Sequence, residues 1–397
     1  MDLHRFRHTS FFAAGIAAAA AATPALAIEA EEAGNRLKAV LEQQDVELSY
    51  GDARLEGNDV ILDDVTARNT ELEGSISIDQ LVLQDVTEEP DGSYRVGTVE
   101  VESFETPMGE MNLSLIDYRA TGLVLPEDLA TDPFGGVMRY DRMEVARIDV
   151  EGQEGPVASL TNVYADINIT DDNTMETTGA VENYSFNLQG MFDDADTAAM
   201  LSEMGYGELS GNALMEGSWR PSDGRMTLSR YEAVVEDAGT LLLALDFAGY
   251  TPEFARTLEE TTRNREEGAS GNDNSMQGMA MLGLVQQLTF HSASIRFNDD
   301  GLTEKALDEV ASRRNTTTDD IITQSTTALQ QQIASFAGND LAETVSQAVG
   351  TFLENPQHFE ISAQPENPVP FAMLMGAAMG SPDMLVQQLG LTVTANQ

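Results

Sequence analysis

The chain contains no cysteine, which excludes disulfides, thiolate metal sites and a cysteine nucleophile, and leaves burial of apolar surface to hold the fold. Lysine is nearly missing as well. Lys38 and Lys305 are the only two, and 21 basic residues stand against 67 acidic ones for a formal charge of −46. A field of that sign repels nucleic acid and anionic head groups at long range, so no nucleic-acid partner is expected. The acid excess reads as adaptation to a saline habitat in preference to a surface made for a cationic partner.

Histidine is scarce too, with four in all. Beyond the first 27 residues only His291 and His358 remain, in separate strand-like runs without the His-x-x-x-His or His-Glu pairing of a zinc site. Gly-x-Ser-x-Gly and Ser-x-x-Lys do not occur, and neither do phosphate-cradling glycine loops or dinucleotide fingerprints. Carboxylates are so abundant that no acid/base pair stands out. Asp171-Asp172-Asn173, Asp193-Asp194-Ala195-Asp196 and Asn298-Asp299-Asp300-Gly301 offer clustered oxygen ligands, yet none keeps the alternation and closing Glu of a calcium loop. They read as turn and helix-cap acids. No catalytic residue, metal ligand or cofactor is assigned, and the chain is expected not to be an enzyme.

Long hydrophobic runs are absent after the amino terminus. The single candidate, Phe11 to Ala22, is about a dozen residues long, too short for a membrane-spanning helix. Arg5 and Arg7 precede it, Pro24 follows, and Ala25-Leu26-Ala27 supplies the small-x-small pattern a signal peptidase accepts. Cleavage after Ala27, with Ala25 and Ala27 as recognition residues, removes 27 of the 397 residues and leaves 370. Asp2, Arg5 and Arg7 leave with them, so the mature charge is −47. The expected destination is the periplasm, without a transmembrane span in the mature chain. No Cys stands at the cleavage point to carry a lipid anchor.

What the sequence does contain is alternation. Glu29 to Gln44 carries Leu37, Val40 and Leu41 on one stripe and reads as a short amphipathic helix. From Val46 to about Gly249 the period becomes two, as in Val163, Ala165, Ile167 and Ile169 against Asn162, Tyr164, Asp166 and Asn168. In several runs the apolar phase flips midway. Ile76 and Ile78 hand over to Leu81 and Leu83, Tyr94 and Val96 to Val99 and Val101, and Met143 and Val145 to Ile148 and Val150. Such flips mark β-bulges that bend a sheet, or else two short strands joined by a turn. Leu62-Asp63-Asp64-Val65-Thr66 recurs as Leu83-Gln84-Asp85-Val86-Thr87, and Pro90 to Ser93 and Ser222 to Gly224 carry hairpin-tip chemistry.

Small helical insertions are expected near Glu127 to Gly135 and Asp193 to Met204. A helix starts after Thr251-Pro252, and 262–275 reads as a linker or mobile loop. Beyond it lie helices and three strand-like inserts, Leu288 to Phe297, His358 to Ala363 and Leu391 to Thr394. Thr317 and Asp320 have the spacing of a helix amino-terminal cap before the stripe Ile322, Leu329, Ile333, Phe336. A second stripe, Leu341 to Leu353, opens at Asn339 and stops at Pro356. The expected fold is mainly β (α+β): a long antiparallel, bulged and curved sheet or groove covered by carboxy-terminal helices. Its parts are a signal peptide (1–27), an amino-terminal helix with an elongated β domain (28–250), and an α+β carboxy-terminal part (251–397).

Methionine stands out among the apolar residues, with eighteen present. Met276, Met279 and Met281 form one group and Met373, Met375, Met379 and Met384 another, among Gly, Ala and Leu. Flexible thioether chains suit an acyl chain or a partner helix, although core helices packed on the sheet account for them better.

The runs Leu83 to Thr87 and Asp91 to Gly97, with the ending Phe359 to Ala363, Val369-Pro370-Phe371 and Leu391 to Asn396, resemble exported proteins of unknown function in Gram-negative, alphaproteobacterial-type genomes. More distantly the strand-rich half resembles AsmA/YdgA-type envelope proteins. That resemblance implies long grooved β-sheets and a role in lipid handling, while the missing retained anchor argues against a fixed bridge between two membranes. The expected function is a non-catalytic periplasmic protein that binds lipid or another apolar ligand in envelope maintenance. The alternatives are a structural or protein-interaction module of the envelope with no small ligand, and a metal- or carboxylate-dependent enzyme, which needs acids converging in a pocket.

Overall fold

The computed structural model describes residues 28–69, 74–153, 155–188, 195–267, 281–380 and 382–397. Its main body is a seventeen-stranded sheet, antiparallel in every pairing. The first strands are β1 (Val46–Ser49), β2 (Asp52–Glu56), β3 (Asp59–Asn69), β4 (Ile76–Gln84), β5 (Thr87–Glu88), β6 (Tyr94–Met108) and β7 (Met111–Leu125). β8 (Arg142–Gly152), β9 (Gly155–Ile169), β10 (Met175–Asn187), β11 (Glu208–Arg220), β12 (Arg225–Val235) and β13 (Gly239–Ala248) follow. The last are β14 (Thr289–Asp299), β15 (His358–Ala363), β16 (Val369–Pro370) and β17 (Leu391–Ala395).

Chain order is spatial order. β1 and β2 share one edge of β3 in a single register, broken at Tyr50 and Gly51. From β3 the ladder passes to β4, then β6 with β5 beside it, and strand by strand to β15 and β17, with β16 beside β14. A meander pairs each strand with its sequence neighbour, so short turns set most of the registers. Asp91-Gly92 and Asp223-Gly224 are hairpin tips; Asp91 accepts from the Ser93 N–H and hydroxyl, and Asp223 from the Arg225 N–H. The division expected near residue 250 falls between β13 and β14, which pair directly along nearly their whole lengths.

The phase flips have two structural forms. In the first half of the sheet one rung is lost without a change of register, and a residue in the left-handed region sits at the gap. Asp64 (φ 53°) faces Asp79, Asp117 (φ 53°) lies between Glu102 and Ala146, and Asn162 (φ 51°) between Ala146 and Glu182. Two consecutive residues then face solvent, Asp79 with Gln80 and Ala146 with Arg147, and the apolar phase resumes one position later. A second such gap sets Gly97 opposite Gly122 (φ 67°), where a Cβ on Gly122 would strike Asp141 and Arg95. The flips read from the sequence, in β4, β6 and β8, are thus creases without a register shift, whereas from β10 onward the ladder carries register shifts with an extra residue, at positions the pattern did not mark. The short repeat marks the same device: its central Asp, Asp64 or Asp85, has positive φ in both copies.

Helices sit mainly at the ends of the sheet. α1 (Ala30–Glu42) buries Ala33, Leu37 and Val40 against β1 to β3 in a cluster with Val60, Leu62, Leu83, Val96 and Leu125. α2 (Ala195–Glu203) matches the insertion expected at Asp193 to Met204. Glu127 to Gly135 is not helical. Its backbone is closed into turns by Asp128 and Asp132, whose carboxylates accept from the N–H groups of Ala130, Phe134 and Gly136. α3 (Pro252–Glu267) extends into the segment expected to be a loop, because the polar run from Thr262 to Glu267 continues the helix; 268–275 lies outside the described residues.

α4 (Leu302–Arg314), α5 (Thr318–Ala337), α6 (Asn339–Glu354), α7 (Phe371–Gly380) and α8 (Pro382–Leu389) lie about the last strands. Thr317 caps α5 by accepting the Asp320 N–H. Ile322 and Ile333 are buried, whereas Phe336, expected on the same stripe, is exposed because α5 packs on α6 through Ile333 and Ala337 instead.

The left-handed crease yields a stability test. Asn162→Val puts a β-branched residue at φ 51° and should cost about 1–3 kcal/mol. Asn162→Gly should hold stability within about 1 kcal/mol. Urea midpoints of the two variants check this, and equal losses would refute the role given to the crease.

Candidate functional site

Directly opposed residues of an antiparallel pair point to the same face, so the registers can be followed across the whole sheet. One row runs from Leu55 through Val60, Leu83, Val99, Ala120, Met143, Ala165, Gly179, Met215, Tyr231, Leu243, Ile295 and Ile361 to Val393. Every member is apolar, glycine or tyrosine. On one side of it runs Val101, Tyr118, Val145, Val163, Val181, Ala213, Ala233, Leu241, Phe297, Phe359, Ala395. On the other, Leu228, Leu245, Ala293, Ala363 and Leu391 form a third row, and Met175, Trp219, Met226, Phe247, Phe290 and Val369 a fourth. The face is one apolar band several rows wide.

Its cover is uneven. At the amino end α1 closes the band, and Val60 and Leu83 are fully buried. Phe134, from the 126–140 turns, lies edge-on to Trp219 at 6.4 Å between ring centroids, beside Met175, Met226 and Tyr250. At the carboxy end Phe352 of α6 meets Phe297 and Phe359, at 6.3 and 5.8 Å. Phe371 at the start of α7 meets Phe290 at 6.3 Å. Aromatic side chains thus stand along both margins, and among the described residues none covers the middle. Met215 is 41 % exposed, Leu245 38 %, Ile295 44 % and Ile361 36 %. These four, with Tyr231, Leu243, Leu228, Ala293 and Ala363 between them, form an apolar floor across β11 to β15.

The reverse face is polar and laced with ion pairs. Arg119 meets Glu100 at 3.4 Å, Arg230 meets Glu232 at 2.6 Å and Arg296 meets Glu360 at 3.2 Å. Where the crease crosses β6 to β10 a hollow of about 580 Å³ opens, lined by Glu100, Glu102, Asp117, Arg142, Glu144 and Glu182 among others. Arg142 is held by Glu144 and Asp166 and lies 4.4 Å from the Tyr164 ring centroid, while Glu182 accepts from Asn162. No set of three His, Cys, Asp or Glu among the described residues converges to hold a metal ion. The hollow is rich in charged side chains, with Val101, Tyr118, Val145 and Val163 also in its lining, and the apolar surface is an open floor.

Burial also marks the apolar side electrostatically. Desolvation pushes the Tyr118 phenol up to about 12, helped by nearby Tyr140. Tyr140 is raised by burial and by Asp166.

The methionines expected to form a ligand surface divide. Met276 and Met279 lie outside the described residues, as do Ala25 and Ala27. Met281 is half-buried in a helical turn that runs into β14. Met373 is exposed on α7 and Met375 half-buried on the same helix, which also carries Met379. The turn that carries Met281 and the start of α7 meet at one margin of the floor, because the Phe371 N–H donates to the Leu288 carbonyl just before β14. His291 sits at the β14 bulge and His358 opens β15, where its Nε2 accepts the Gln397 N–H. Of the acidic loops, Asp172 accepts from Thr170 and Asp299 caps α4 through Gly301 and Thr303. Met215, Leu245, Ile295 and Ile361 were not singled out from the sequence, since only their cross-strand register distinguishes them from any other strand residue.

A protein-family model described as an uncharacterized protein matches residues 232–396. The matched stretch carries Leu245, Ile295 and Ile361 and the helices about the last strands, and leaves out Met215. No curated protein matches the chain. No helix among the described residues is long and apolar enough to cross a membrane.

Two measurements test this partition. Ile295→Ser removes an exposed side chain and should change unfolding free energy by less than about 1 kcal/mol, whereas Leu83→Ala, fully buried, should cost about 2–5 kcal/mol. A large loss at Ile295 would show that the floor is covered. On alkaline titration, phenols raised in the folded state are held neutral, so their stabilisation is complete below the ordinary value of 10 and lost as pH rises from 10 to about 12. Ultraviolet absorbance should show tyrosinate appearing together with loss of sheet signal in that window; full ionisation near pH 10 with the sheet intact would contradict it.

Proposed function

We propose that the chain is an exported, non-catalytic protein of the cell envelope, resident in the periplasm, whose open floor holds an acyl chain. The observation that carries this is the continuous apolar row, closed at its amino end and bare at Met215, Ile295 and Ile361. Proteins seldom leave contiguous apolar surface to water without a ligand or partner for it. From Met215 to Ile361 is four inter-strand steps, about 19 Å. One leaflet of a bilayer, half of a core of about 30 Å, takes hydrocarbon chains of comparable length. The methionines of α7 and the turn before β14 give that margin an adaptable wall. The amino-terminal charge, apolar run and Ala25-x-Ala27 pattern support export, and the likeness to AsmA/YdgA-type proteins supports the lipid class.

Protein purified from a Gram-negative host should yield acyl lipid on organic extraction and mass spectrometry. Ile295→Asp with Ile361→Asp should lower that yield about tenfold, given the cost of setting a charge against an apolar ligand, with an unchanged circular dichroism spectrum. Extracts without lipid, from protein that also fails to take up a fluorescent fatty acid, would overturn the proposal. A co-purifying protein on the same face, lost in the double variant, would replace the acyl chain with a partner.

A further inference from the structure

We infer that Met215 is a movable end-stop of the floor and sets the length of acyl chain that it accepts, a conclusion that rests on the acyl-chain reading above. A chain laid across the strands from Ile361 passes Ile295, Leu243 and Tyr231 and reaches Met215 on β11. The next positions of the row are Gly179 on β10, Ala165 on β9 and Met143 on β8. Along its own strand Met215 is flanked by Ala213 and Gly217, which point to the same face. A long side chain therefore stands among small ones, with Tyr231 on its remaining side.

The side chain leans toward the closed end of the sheet. A Cβ added at Gly179 would lie 3.9 Å from the Met215 Cε, so the thioether reaches back over β10 and fills the space that the glycine leaves. The backbone does not itself require glycine there: Gly179 pairs regularly with both neighbours, and the added Cβ would come no closer than 3.5 Å to the Tyr164 carbonyl oxygen. What the glycine supplies is room for Met215. Methionine is unbranched and turns about three side-chain torsions between staggered positions. At 41 % exposure it gives up little buried area on turning. Turned away from β10, it uncovers Gly179 and Ala165 and lengthens the open row by two inter-strand steps, about 10 Å. Half-buried Met143 and buried Ala120 end that extension. Lying over β10 the side chain stops a chain at β11, and turned aside it admits a longer one.

The test offers the full processed chain, stripped of lipid, an equimolar mixture of palmitic and behenic acids. The acids carried by the re-isolated protein are quantified by mass spectrometry. Met215→Ala should raise the ratio of behenic to palmitic acid about tenfold, the gain expected of about two more buried methylene groups. Adding Gly179→Val, a residue suited to a strand, refills the space over β10 and should return the ratio to within about twofold of the unaltered protein. Gly179→Ala, whose Cβ meets ordinary van der Waals contacts, replaces Gly179→Val if that variant loses its sheet signal in circular dichroism. A ratio unchanged or lowered in Met215→Ala, or raised there and not brought back by the change at Gly179, overturns the end-stop and leaves the acyl-chain reading in place. Uptake of neither acid by the unaltered protein overturns that reading as well.

Discussion

The rest of the structure depends on one constraint: every strand of a long sheet must turn its apolar side chains to the same face although the strands bend midway. In a period-two element a bend that consumes one residue would send all later apolar side chains to the wrong side. The sequence answers each bend with a phase flip, and a residue tolerant of positive φ sits where the flip is made. Asp64, Asp117 and Asn162 serve in the first half, and bulges with an extra residue serve from β10 onward. Asn and Asp enter the left-handed region more readily than other side-chain-bearing residues. The polar residues that interrupt the strand pattern are therefore what allow the apolar row to stay unbroken from Leu55 to Val393.

Given that row, cover decides where the core ends and the exposed floor begins. At the amino end α1 completes a sandwich of helix on sheet, and the fully buried side chains collect there: Val60, Leu62, Leu83, Val86, Val96 and Leu125. Across β11 to β15 the same row continues with the same residue types, and no helix among the described residues lies over its centre. Aromatic groups close the margins alone, Phe352 on one side and Phe371 and Phe134 on the other. Core and floor are one feature, differing only in what lies on top.

Local features were legible in the sequence because they are local. Period-two alternation, the flips at Ile78/Leu81, Val96/Val99 and Val145/Ile148, the Asp-Gly hairpin tips and the Thr317 cap each depend on a handful of neighbouring residues, and each has its counterpart in the structure. The turns around Phe134 were misread as helix because Asp128 and Asp132 close the backbone by side-chain hydrogen bonds, which leave no periodic trace. The floor was illegible for a different reason. Ile295 and Ile361 are 66 positions apart and become neighbours only through the β14–β15 register, which no periodicity encodes. The methionine clusters drew attention through composition, whereas Met215, on the exposed floor, belongs to neither cluster.

The extreme acidity and the open floor bear on each other. An apolar face of this width on a sheet with two free ends is the surface through which copies of a protein would associate, and a chain of near-zero charge bearing it would tend to aggregate. The ion pairs of the reverse face engage its arginines while leaving most carboxylates uncompensated, so copies of the chain repel one another electrostatically. The edges are guarded as well, by α1 packed on β1 and β2 and by α6 and α8 against β17. A charge of −46 thus has a structural consequence: like-charged copies repel one another at long range, which opposes their association through the exposed apolar face.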